Sequence, residues 1–357
     1  MYKQTKLFIS GEDGYHSYRI PALIVSNAGT ILAFCEGRRN SRSDTGDIDI
    51  VLKRSFDNGQ SWQPMQIAAD GDADTTGNPA PVVDRSTGTI WLLLCKNLAS
   101  GPERMIIDGE APRTVWITHS DDDGATWAEP REITGDVKKP SWTWYATGPC
   151  HGIQLENGRL MIPCDHVAGT NHNYAESAYS HVIYSDDHGK NWQIGGITQP
   201  GTNESVIVQT ADGALYFNCR NYVGEKRRAY AWSHDNGDSF SESGWDEMLV
   251  EPICQASMIR FTDAKTHDKN RVLFSNPASV QRERMTVRIS YDECKTWNAG
   301  KVLHEGPSAY SDLCVTPDMN ICCLFERGEE NAYETITFAQ FDLEWLTDRA
   351  DKIAPRS

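Results

Sequence analysis

The stretch Ser55-Phe56-Asp57-Asn58-Gly59-Gln60-Ser61-Trp62 decides how this chain folds, because it comes back four more times. It returns as Ser120 to Trp127, Ser185 to Trp192, Ser233 to Phe240 and Ser290 to Trp297. The shared pattern is Ser-x-Asp-x-Gly-x-Thr/Ser-Trp. The third copy carries Asn191 at the Thr/Ser position, the fourth Phe240 in place of Trp, and the fifth Cys294 in place of Gly. Recurrence at intervals of 48 to 65 residues means repeated supersecondary units. In each unit the Asp accepts backbone N–H groups across a tight turn. The Gly supplies a left-handed position, and the closing aromatic packs back on a neighbouring unit. The motif reads as a staple of the fold. A calcium loop would need more acidic ligands than it carries.

Six hairpins accompany the five staples. Their open ends are Arg19 and Arg38, Asn78 and Asn97, Pro149 and His166, Glu204 and Arg220, Gln255 and Asn276, and Tyr310 and Glu326. Each folds about a turn-forming run such as Asn27-Ala28-Gly29 or Thr210-Ala211-Asp212-Gly213. Register follows from turn position. Arg19 is therefore expected beside Arg38, Glu204 beside Arg220, and Tyr310 beside Glu326. Each hairpin supplies two inner strands and each staple joins two outer ones. The expected fold is all-β, a six-bladed β-propeller with four-stranded antiparallel blades. It would form a single domain over 1–357, a length that propellers reach as one unit. The sixth blade lacks a staple and is expected to close with Lys6-Leu7-Phe8-Ile9 beside the 334–341 stretch. Lys352 to Ser357 reads as a frayed end.

The net charge of −16, with no basic run, argues against nucleic acid and anionic membranes as partners. No apolar stretch approaches the roughly 20 residues that span a bilayer, so no membrane insertion is expected. The first residues lack an apolar signal core. A cytoplasmic location is the expectation, with a trimmed leader as the other reading. The ten cysteines are scattered without CxxC pairs. Buried reduced thiols are expected, since a disulfide framework is unusual at this size. His and Cys never cluster at metal-ligand spacing.

Inner-strand ends of a propeller converge on its axis, so residues remote in sequence meet there. Arg19, Arg220 and Arg282 come from different blades. A lone arginine is usually half of a surface salt bridge. Three around one point repel each other unless an anion joins them. Guanidinium favours bidentate pairing with carboxylate, so the ligand is expected to carry one.

Tyr18-Arg19-Ile20-Pro21 followed by several such Asp-box staples resembles the sialidase (neuraminidase) family. The likeness continues through Glu36-Gly37-Arg38-Arg39, Ser43-Asp44, Asn203-Glu204, Arg220, Asn276-Pro277 with Arg282, Ala309-Tyr310-Ser311-Asp312 and Phe325-Glu326. It is similar to the exo-acting, retaining cellular and bacterial enzymes more than to viral ones. The resemblance implies that Arg19, Arg220 and Arg282 clamp the sialic acid carboxylate and that Glu326 orients Arg19. Tyr310 would be the nucleophile, Glu204 its base and Asp44 the acid/base, with Arg38 helping to hold the ligand. Asn78 stands near the acetamido region, where many relatives have Asp. Arg284 competes with Arg282 as the third arginine, two residues on and expected on the same face. Asp165 and His166 would reach the glycerol tail. Trp142, Trp144 and Tyr145 form either an aromatic wall or plain core.

The residue types suit the chemistry. Sialidases depart from the two-carboxylate glycosidase scheme by using Tyr. An anionic nucleophile would approach the anomeric carbon against the substrate carboxylate. A neutral phenol avoids that repulsion but needs a base within hydrogen-bond reach. Asp44 must be protonated to donate to the leaving oxygen, which predicts a mildly acidic optimum. The implied activity is hydrolysis of terminal α-ketosidic sialic acids from glycans or free sialosides, with no metal and no organic cofactor. Three alternatives stay open: a trans-sialidase, a relative preferring deaminated or other nonulosonic acids, and a non-catalytic sialic-acid-binding propeller.

Overall fold

The computed structural model describes residues 1–354, and there the strands pair in sets of four. The first set runs Ser17–Val25, Ile31–Arg38, Ile48–Ser55 and Gln66–Ala69, antiparallel throughout. The second runs Thr75–Val83, Ile90–Asn97, Arg113–Ser120 and Arg131–Glu132. The third begins with an inner strand in two pieces, Trp142–Thr147 and Ile153–Gln154, followed by Leu160–Ala168, Ala178–Ser185 and Gln193–Ile197. The fourth is Thr202–Gln209, Leu215–Asn221, Arg227–Ser233 and Gly244–Val250. The long strand Lys301–Val315 serves two sets. Its first half pairs with Glu283–Ser290, after Ser257–Thr262 and Arg271–Pro277. Its second half pairs with Ile321–Arg327, which pairs with Thr335–Phe341, and Tyr2–Ile9 completes that last set as expected. Helix is confined to four pieces of four or five residues among those described.

Every staple closes in the same way. Ser55 Oγ accepts the Gly59 N–H at 2.8 Å and donates to Asp57 Oδ1. Asp57 takes the Ser61 N–H at 2.8 Å and the Ser61 hydroxyl at 2.6 Å. The same bonds recur at Asp122, Asp187, Asp235 and Asp292. The closing aromatic leans on the preceding set. Trp62 meets Phe338 edge-on at 5.0 Å, Trp127 meets Phe34, and Trp297 donates its indole N–H to Asp246. Burying one such ring stabilises by about 3 kcal/mol, so the staples join neighbouring sets as well as neighbouring strands. Gly189 shows why glycine stands in the motif. Its φ is +84° and a Cβ there would lie 2.2 Å from Trp91. In the fifth copy Cys294 takes up the left-handed position instead, at φ +66°.

Near the axis, buried Asp312 binds several sets together. It accepts the Leu23 N–H, the Ser257 hydroxyl and His151 Nδ1, each at 2.7 Å. The ten cysteines are free and buried, and Cys322 and Cys323 face different core clusters.

Five expectations need correction. Arg19 lies opposite Glu36, and Arg38 opposite Ser17, because Val25 pairs with Ile31 at the turn, which offsets the expected register, and a bulge at Ile20-Pro21 shifts it again. Ile20 takes φ +60° before a proline that has no N–H to give the ladder. Asn97 pairs with Thr75 rather than Asn78, because Val83 pairs with Ile90 across the turn, which already offsets the ladder from the expected register, and Asn78, at φ +56° before Pro79, lies in a bulge that shifts it further. His166 pairs with Tyr145, not Pro149, because the chain leaves the sheet between Thr147 and Ile153. Asn276 lies one residue out of register with Gln255, Ser275 pairing with Ser257. The expected frayed end is tied down as far as it is described. The Lys352 carbonyl accepts from Arg271, Ile353 packs on the core, and the Ala354 carbonyl accepts the Asp268 N–H. Residues 355–357 lie outside the described residues.

Candidate active site

Bulges sit at the mouth ends of the strands that begin the first, second, fourth and last sets, and there they turn side chains inward. Arg19, Asn78, Glu204 and Tyr310 all lie at or beside them. Together they line a cavity of about 300 Å³, a size at the small end for ligand pockets.

Tyr310 is its centre, with only 5 % of its surface exposed. Its hydroxyl donates to Glu204 Oε1, while Arg220 Nη1 donates to the hydroxyl at 3.1 Å and to Glu204 Oε2 at 2.6 Å. The expected Glu204–Arg220 and Tyr310–Glu326 registers hold, with Glu326 Oε2 accepting the Tyr310 N–H at 3.0 Å. Burial pushes the phenol well above its ordinary pKa, and the Glu204 charge adds to that. Arg220 and Arg282 pull the other way. At rest the tyrosine is a protonated phenol with an acceptor in place.

Three guanidinium groups surround that ring. Arg19 and Arg282 stand 5.3 and 5.6 Å from its centroid, and Arg220 touches its hydroxyl. Arg19 Nε is held by Glu326 at 2.7 Å, and the Ile20 N–H binds the same oxygen. Arg282 has neutral partners, the Tyr333 hydroxyl at 2.9 Å and the Ile253 carbonyl at 3.2 Å. Arg220 Nε is buried with no hydrogen-bond partner. The resulting excess of positive charge suits an anion.

Asp44 hangs over the opposite rim, its side chain 67 % accessible, with Oδ1 2.7 Å from Arg38 Nη2. Partial burial works upward on its pKa, but Arg38 and Arg19 outweigh it and hold the carboxyl below its ordinary value. Arg38 is in turn gripped by Glu36, which also accepts the Asn78 N–H at 2.8 Å.

Besides the expected Asp165, the far wall holds residues that the hairpins did not point to. Arg113 stacks over Trp144 at 4.0 Å and donates to Asn78 Oδ1 and Asn97 Oδ1. It starts the third strand of its set, directly opposite Asn97. Carrying each hairpin register one strand outward would have found it. Glu103 and Tyr174 come from two of the short helices and hydrogen-bond over the same cavity. Asp165 is buried, accepts from Asn203 at 2.7 Å, and leaves Oδ2 without a partner. Burial lifts it well above the usual carboxylate range, with Glu204 adding and Arg220 and Arg113 opposing. The other expected neighbours do not reach the cavity. His166 lies stacked on Trp142 at 3.5 Å, and Trp142 and Tyr145 are core. Arg284 points outward to Glu305.

The sequence matches the BNR repeat-like domain family over residues 29–323. It is 35 % identical to the exo-alpha-sialidase of Aspergillus fumigatus, over 93 % of this chain and 86 % of that one. The chain belongs to the sialidase family. It is also 32 % identical to the sialidase of Micromonospora viridifaciens, spanning 97 % of this chain but only 54 % of that longer protein. Among solved structures, the Hadza microbial sialidase Hz136 superposes with a TM-score of 0.85 at 31 % identity, covering 96 % of this chain and 69 % of that one. This sialidase is therefore a glycoside hydrolase with the all-β architecture of its relatives.

Proposed function

We propose that the chain is a retaining exo-α-sialidase, one catalytic domain built as a six-bladed β-propeller. The six four-stranded sets and the closure by Tyr2–Ile9 support the blade count. The reaction reading rests on one observation: a buried phenol hydrogen-bonded to a carboxylate and flanked by three guanidinium groups. A sialoside whose carboxylate meets Arg19, Arg220 and Arg282 brings its anomeric carbon over Tyr310. Glu204 takes the phenol proton as the oxygen attacks, and Asp44 protonates the leaving oxygen. Asp44 then deprotonates the water that frees the sugar from Tyr310, so configuration is retained. Each partial charge is met by a group already in place, which is where most of the acceleration arises.

The test is release of fluorophore from an α-ketoside of N-acetylneuraminic acid between pH 4 and pH 8, with proton NMR of the first product. The α-anomer appears first under retention. A β-anomer first overturns the double displacement, and binding without turnover leaves a sialic-acid-binding propeller.

A second reading concerns the glycone. With the carboxylate at the arginines, the far side of the ring faces Asn78, Arg113 and Asp165, all polar. These polar groups suit a hydroxyl, while Trp144, Ala146 and Val167 in the same lining offer apolar surface to an acetamido methyl, so a deaminated nonulosonic acid is a second candidate glycone. Relative kcat/KM on the deaminated ketoside separates the two glycones.

A further inference from the structure

The turn from Glu251 to Gln255 lines none of the cavity, yet it bonds to Arg282, packs with Tyr310 and holds the residue after Arg220. Glu251 is fully buried. Its Oε1 accepts the N–H of Asn221, the residue after Arg220, at 2.9 Å. Its Oε2 accepts Arg228 Nη1 at 2.9 Å and the Cys254 N–H at 3.3 Å. Arg228, equally buried, donates to the Cys254 carbonyl at 2.6 Å and to Asn218 Oδ1 at 2.7 Å. One ion pair therefore grips both backbone groups of Cys254.

The grip has a visible consequence one residue earlier. Ile253 is held at φ +58°, a left-handed conformation that a β-branched residue avoids. Such an angle persists where its surroundings over-determine it. The carbonyl of Ile253 accepts Arg282 Nη2. Cys254 packs in the same buried cluster as Tyr310. Gln255 closes a pair of hydrogen bonds with the backbone of Ser311, accepting its N–H at 3.0 Å and donating to its carbonyl at 2.9 Å. One turn thus bonds to Arg282, packs beside Tyr310 and holds the backbone next to Arg220. A buried ion pair adds little net stability once desolvation is counted, so stability alone does not account for this one.

We infer that Glu251, paired with Arg228, is a positioning residue that aims Arg220 and Arg282 at the substrate carboxylate and seats Tyr310 between them. The inference rests on the carboxylate-clamp reading above. Its test is the ratio of kcat/KM for the fluorogenic α-ketoside as free acid to that for its methyl ester. The folded fraction cancels in this ratio, so a merely structural role leaves it unmoved. A wild-type ratio near one defeats the clamp reading itself. With a large wild-type ratio, Glu251→Gln lowers it about tenfold, the worth of one charge-assisted hydrogen bond. The loss lies mainly in KM for the acid. Ile253→Gly is the second variant, since glycine adopts φ +58° without strain and keeps the fold while loosening the turn. It lowers the ratio in the same direction, and it decides the matter should Glu251→Gln not fold. A wild-type ratio in folded Glu251→Gln, or in Ile253→Gly, overturns the inference.

Discussion

The staples and the mouth use the same carboxylate chemistry at opposite ranges. Asp57 finds its donors at Ser55, Gln60 and Ser61, all within four residues. Glu204 finds Tyr310 across 106 residues, and Glu326 finds Arg19 across 307. The hydroxyl and backbone bonds pull Asp57 and Asp122 down to about 2. At the mouth, burial and neighbouring charge push Tyr310 and Asp165 upward. Local bonds satisfy the staple carboxylates Asp57 and Asp122, while the indole N–H groups of Trp62 and Trp127 stay unpartnered. Long-range, incomplete satisfaction leaves Arg220 Nε and Asp165 Oδ2 buried and unpartnered on residues that line the cavity.

The sharpest way to break this contrast is to remove one atom from the mouth. Tyr310→Phe lowers kcat by at least about 10³-fold, because the nucleophilic oxygen is gone. Binding of a carboxylate-bearing sialoside, measured by calorimetry, persists because the arginines remain. Full turnover in that variant would remove Tyr310 from the mechanism.

At the staples a single added carbon acts on stability instead. Gly189→Ala costs about 3 kcal/mol in urea unfolding, from the left-handed angle together with the clash on Trp91. The folded fraction keeps its kcat. An unchanged midpoint would mean that the close approach is not a constraint.

Next comes the pH dependence of catalysis. Arg38 and Arg19 hold Asp44 below its ordinary value in the free enzyme, so the protonated donor is already the minor form at about pH 4 and shrinks further as pH rises. The kcat/KM therefore falls from pH 5 to pH 8. Bound substrate adds an anion beside these arginines, which raises Asp44, so the decline in kcat starts at higher pH. Superimposed profiles, or a flat rate from pH 4 to pH 9, would exclude Asp44 as the acid.

The smallest effect belongs to the staples in acid. A carboxyl depressed by folding contributes stability that is full above its unfolded pKa of about 3.9 and fades toward its folded value. For Asp57 and Asp122 that window runs from about 4 down to about 2. Thermal midpoints measured across it fall less steeply in Asp57→Asn than in wild type. Parallel curves would mean that the turn does not depend on the charge.

Much of this was legible without coordinates. The staples repeat because each turn is solved locally, and hairpin registers followed wherever the turn-to-mouth ladder ran regularly, as for Glu204 with Arg220. They slipped where the turn itself pairs off-centre, as Val83 does with Ile90 and as Ser257 with Ser275 shows, and again at Ile20-Pro21 and Asn78-Pro79, where a left-handed residue before proline inserts a bulge. Those dipeptides were the available signal. Arg113 and Glu103 went unnoticed because they lie outside the hairpins, on a third strand and a short helix.

By itself the sequence determined the all-β class, the stapled repeat, and the residues Arg19, Glu204, Arg220, Tyr310 and Glu326 as strand-end groups. Hydrogen bonds spanning a few residues and period-two alternation encode those features directly. Only the tertiary structure decided which arginine joins the ring, that His166 is core, and that Arg228 and Glu251 support the clamp. Those outcomes depend on which faces meet when the sets pack together, a matter of burial and charge between residues that no local pattern relates.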